Sequence, residues 1–160
     1  MLFRSQNSLI RRSVFTPHRF WDGYRVVDDT LFLIRALHRG VRVACLNDLH
    51  VLYRVHSDNS SNVATALPGP RRLAVMEEEF RGYRRLLVEL PVTGRNRRLL
   101  RERAANAGFW KLGYCGLAVT GRRSDALRVM RDALRICWWR APMWKTYLLC
   151  LLGLAPRLSR

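Results

Sequence analysis

The chain has 160 residues, 49% of them hydrophobic, which is enough for a modest core in a domain-sized body. A formal net charge of +17, almost all from arginine, points to an anionic partner: a phosphate-bearing ligand, nucleic acid or an acidic membrane surface. The four cysteines are scattered without a Cys-x-x-Cys pair and read as small core residues of a reducing compartment rather than a disulfide or zinc framework, and no apolar run reaches the roughly 18 residues that span a bilayer.

Taken in order, the opening MLFRSQNSLIRRS lacks the uninterrupted apolar core of a signal peptide. The run SLIRRSVF predicts a short strand leading into a turn or helix start. Thr16 to Tyr24, TPHRFWDGY, has turn chemistry at Pro17 and Asp22-Gly23 among large aromatics. Those aromatics form either a satellite core or a stacking platform for a sugar or base.

The clearest helix follows. Asp28 or Asp29 is expected as its N-cap, and Leu31, Phe32, Leu33, Ile34 and Leu37 supply an apolar face. His38 and Arg39 close the last turn, and Gly40 stops it. Two β-rich runs come next, Val41 to Leu46 and His50 to His56, joined by Asn47-Asp48 as a strand–turn–strand pair. The boundary falls at Ala66 to Pro70, ALPGP, dividing the chain into residues 1–65 and 66–160.

Beyond the boundary the pattern is helical. An amphipathic helix from Arg71 ends before Pro91, and a second covers Leu99 to Val119 with small residues that allow close packing. A third starts at Ser124, and an apolar tail has basic flanks. The whole therefore reads as an α/β portion followed by a basic α-helical extension.

Two polar clusters carry the chemistry. Asp28-Asp29 opens a helix, where a carboxylate either caps or accepts a proton from a hydroxyl nucleophile. Arg54 and His56 alternate along a strand and share a face. Such a pair is either a solvated edge or an anion and metal site, arginine for a diphosphate oxygen and neutral histidine for the metal.

The order S-L-I-R-R, aromatic turn, D-D-T-L-F-L-I-R-A-L-x-R-G, paired strands and Y-R-V-H-S-D-N-S-S resembles the C-terminal, acceptor-side half of family-2 glycosyltransferases of the GT-A fold. The resemblance covers about residues 5 to 62. It implies a partial GT-A fold, with Asp29 as the catalytic base, Asp28 as its partner, Arg54 at the donor diphosphate, His56 at a divalent cation (Mg2+ or Mn2+), and Trp21 and Asp22 on the acceptor side. The implied reaction is inverting transfer from a nucleotide-sugar donor to a hydroxyl of an envelope or lipid-linked glycan. The family's Asp-x-Asp is absent, so the expected chain is an acceptor half without its donor half and inactive alone.

The expected location is cytoplasmic or peripheral at the inner face of the cytoplasmic membrane. Trp138, Trp139, Trp144, Tyr147, Arg140 and Lys145 beside a leucine-rich run suit attachment to an anionic membrane surface. The non-enzymatic alternative is a basic module that binds such a membrane or nucleic acid. The arginine-rich stretch Arg95 to Arg103 could follow a phosphate backbone, but no DNA- or RNA-recognition motif accompanies it, which disfavours nucleic acid.

Overall fold

Every regular element within residues 10–44 and 69–154, the residues that this computed structural model describes, is a helix. The α/β expectation, and with it the partial GT-A fold, is thereby corrected: no strand occurs among the described residues. Val41 to Ala44, the described part of the first expected strand, forms no ladder. The alternation of Val41 and Val43 signals only a preference for a pleated surface, and a strand needs a neighbour to take its N–H and C=O groups. The second expected strand, His50 to His56, lies outside the described residues.

The chain divides into two units, Met1–Ala64 and Thr65–Arg160. The first contains α1 (Arg12–Phe15), a helical turn within the run expected to begin as a short strand, and α2 (Asp28–His38). Helix α2 buries Leu31, Phe32 and Ala36 along one face, as the i, i+1, i+5 spacing requires. Phe32 stacks with Phe15 at 5.1 Å and with Phe20 at 4.7 Å between ring centres, so the aromatic turn folds back on α2. Gly40, at φ 88°, closes the helix: its N–H donates to the Leu37 carbonyl, and that of Val41 to Ala36. This is a Schellman closure, and the left-handed position accepts glycine without penalty.

The second unit holds α3 (Pro70–Glu89), α4 (Gly94–Asn106), α5 (Arg123–Ile136) and α6 (Ala141–Leu151). The expected helix over Leu99 to Val119 begins earlier, at Gly94. It runs from α4 directly into a π-helix, Ala107–Ala118, to form one rod. The expected Ser124 start moves to Arg123, with Arg122 at the cap position and Asp125 paired to Arg122 and Arg128.

The rod is the centre of this unit. Its Ala104, Ala105, Ala107, Gly108, Gly113 and Gly116 are all buried. Helix α3 lays Met76, Phe80, Tyr83 and Leu86 towards the core, and α5 supplies Ala126, Met130, Ala133 and Leu134. A Cβ added at Gly108 would lie 2.5 Å from the Phe80 ring of α3, and one at Gly113 would lie 2.8 Å from Cγ of Met130 of α5. Helix α6 adds Met143 and Cys150 to the cluster of Phe109, Met130, Leu134 and Cys137. Among the described residues no helix is long and apolar enough to cross a membrane.

Burial raises the thiols of Cys137 and Cys150 and the phenol of Tyr83 above their ordinary values, because a charged form would lose its hydration. Raised acids contribute stability that is fully present below the ordinary thiol value of 9.0 and is lost as pH climbs through the folded-state values. The urea midpoint of the helical unit should therefore fall between about pH 7 and about pH 10; an unchanged midpoint would contradict the burial argument. Alkylation followed by peptide mapping at neutral pH should modify exposed Cys115 well before buried Cys137 and Cys150.

Candidate functional site

In the first unit the acidic pair occupies the first turn of α2, but neither residue is the expected N-cap; Val27 holds that position. Asp28 accepts a hydrogen bond through Oδ1 from the Asp29 N–H at 2.9 Å. Asp29 Oδ1 accepts from the Thr30 N–H at 2.6 Å and from the Thr30 hydroxyl at 3.3 Å. Both carboxylates are half-buried and sit at the positive end of the helix dipole, where anionic charge is favoured. Both carboxylates are thus tied to the main chain of the first turn.

The aromatic turn is built around Arg35, one and a half turns further along α2 than Thr30. Its guanidinium lies 4.5 Å from the centre of the Trp21 ring and donates to the Arg19 carbonyl at 2.8 Å. Trp21 is buried and also meets Tyr24 at 5.8 Å between ring centres. Asp22 is exposed in the turn with Gly23. Buried His18 stands with Nδ1 3.3 Å from an Arg39 guanidinium nitrogen, which also donates to the Pro17 carbonyl.

Arg54 and His56 lie outside the described residues. Among the described residues no group of three His, Cys, Asp or Glu side chains comes together. Asp28 and Asp29 instead serve their own helix turn.

The second unit carries two grooves that share Trp138. One, of about 430 Å³, is lined by Gly94, Arg97, Arg98 and Arg101 of α4 with Trp138 and Trp139. Arg101 fixes this junction: its Nε donates to the Ile136 carbonyl at 2.6 Å, and its guanidinium lies 4.7 Å from the centre of the Trp139 ring. The other groove, of about 300 Å³, is lined by Arg131, Leu134 and Arg135 of α5 with Trp138, Trp144 and Tyr147. The Trp144 indole N–H donates to the Trp138 carbonyl at 2.8 Å, tying α6 to the turn before it.

Sequence reasoning had both the arginine-rich stretch and the tryptophans, but not their meeting. Arg97, Arg98 and Arg101 follow an i, i+1, i+4 pattern that predicts one helix face. Nothing in that spacing names Trp138 and Trp139 as the opposite wall. Likewise, Arg35 was read only as a helix residue, and its place over Trp21 depends on the turn folding back.

Comparison of the chain with protein-family models, with curated proteins and with solved structures finds no match.

Replacing Arg101 by alanine removes a charged hydrogen bond to a carbonyl and a ring contact, and should destabilise the helical unit by about 2 kcal/mol in urea denaturation. Arg97→Ala, at an exposed position of the same groove, should change stability by no more than about 0.5 kcal/mol. Equal effects of the two would contradict the assigned role of Arg101.

Proposed function

We propose that the chain supplies the acceptor side of a glycosyl transfer. In this reading Asp29 accepts the proton of an acceptor hydroxyl as that oxygen bonds to the anomeric carbon of a nucleotide-activated sugar. The bond from the anomeric carbon to the diphosphate oxygen breaks on the opposite face, and the nucleoside diphosphate leaves with the electron pair. One displacement gives inversion.

The observation that carries the reading is the first turn of α2, where Asp28 and Asp29 present adjacent half-buried carboxylates. Acids are favoured in a helix first turn, and the reading adds to that structural role a proton-accepting one for Asp29. The main-chain and hydroxyl donors on Asp29 Oδ1 fix the carboxylate in orientation, as a general base requires. By the sequence resemblance, Arg54 would stand at the leaving diphosphate. An envelope or lipid-linked glycan is the acceptor class that this reading favours.

The test uses the gene at its own locus, so that Asp29 is altered in whatever assembly the cell makes. Asp29→Asn should lower incorporation of radiolabelled sugar into the cell's glycan fraction by about 100-fold or more at unchanged protein level. Asp29→Glu, which keeps the carboxylate, should retain measurable transfer. Full incorporation with Asp29→Asn would remove this residue from the base role and the transferase reading with it.

A further inference from the structure

Helix α6 is apolar on two sides. Met143, Tyr147 and Cys150 face the core cluster, as their i, i+4, i+7 spacing requires. Trp144, Leu148 and Leu151 repeat the same spacing one position on and form a second stripe that faces outward. Leu148 is 51% exposed, Leu151 49% and Leu152, just past the helix, 69%. A soluble helix normally puts polar residues there, and a helix apolar nearly all round is one that is covered on both sides.

The surroundings of this stripe select what covers it. Trp138, 65% exposed, lies in the turn before α6 and lines both grooves. Arginines therefore flank it on two sides: Arg97, Arg98 and Arg101 on one, Arg131 and Arg135 on the other. Between Arg122 and Leu154 the chain carries seven basic residues against two acids. Arg131 and Lys145 form no ion pair among the described residues. An apolar centre with an arginine rim asks for a surface that is oily within and anionic at its edge.

We propose that this face of the second unit docks on an anionic phospholipid bilayer. Trp138, Trp144 and the α6 leucines enter the boundary between headgroups and acyl chains, and exposed Arg97 and Arg131 take lipid phosphates. At 11 residues α6 is about 16 Å long, roughly half the hydrocarbon thickness, so it lies in the interface and does not cross it. Nucleic acid would satisfy the arginines and stack on tryptophan, but would leave Leu148, Leu151 and Leu152 without a favourable environment. A second copy of the chain would cover the leucines only by bringing two arginine rims of the same sign together. The inference stands apart from the role of Asp29.

The test is flotation of the full chain with phosphatidylcholine vesicles, with and without phosphatidylglycerol, together with quenching of tryptophan fluorescence by brominated acyl chains. Binding should be at least tenfold tighter to the anionic vesicles and should weaken between about 0.1 and about 0.5 M salt. Brominated lipid should quench the wild-type fluorescence. The double substitution Trp138→Ser and Leu148→Ser alters exposed side chains only, so its thermal unfolding should match wild type while binding falls at least tenfold. Absence of flotation, or flotation without quenching, would overturn the proposal without recourse to a variant. Single-stranded DNA bound more tightly than vesicles, and equally well by wild type and the double variant, would overturn it in favour of nucleic acid.

Discussion

The helical unit depends on how closely α3 and α5 approach the rod formed by α4 and the π-helix. That approach is set by missing atoms: Gly108 leaves the space taken by the Phe80 ring, and Gly113 the space taken by Met130. Close packing of this kind converts small residues into dispersion contacts that a bulkier rod would hold at a distance. The position of α5 then fixes Trp138 and Trp139 at its end, and Arg101 of the rod locks that end through the Ile136 carbonyl and the Trp139 ring. The arginine–tryptophan grooves are thus a consequence of the glycine-lined core.

The two units answer different chemical demands. In the first, a short helix presents paired carboxylates at its positive end, and the aromatic turn folds back on its apolar face through Phe15, Phe20 and Phe32. In the second, the net positive charge and the outward apolar stripe of α6 lie on elements that the rod organises. In the proposed transfer the first unit would supply a base for the hydroxyl, and in the proposed docking the second would supply a surface for an anionic bilayer.

Much of the helical part was legible because its signals are local. The apolar face of α2 and its Gly40 closure follow from spacing and from one residue that accepts a left-handed backbone. The helix ending near Pro91 is of the same kind. The strand expectation failed at Val41 to Ala44 because β preference is a statement about neighbours, and the chain offers no pairing there among the described residues. Asp28 and Asp29 were assigned to the cap, yet fall one and two residues inside it, within the usual uncertainty of helix ends. Arg35 over Trp21, and Arg101 over Trp139, were not legible at all, since they join residues 14 and 38 positions apart by sequence number.

A double-mutant cycle on Gly108 and Phe80 measures directly how far their contact governs the packing of the helical unit. In an open helix Gly→Ala gains about 1 kcal/mol from backbone propensity, so a destabilising Gly108→Ala reports the ring alone. The account predicts a cost of about 1–3 kcal/mol for Gly108→Ala in the wild-type background. It predicts that most of this cost disappears in Phe80→Leu, whose side chain lacks the ring atoms that crowd the position. A stabilising Gly108→Ala, or strictly additive effects of the two substitutions, would contradict it.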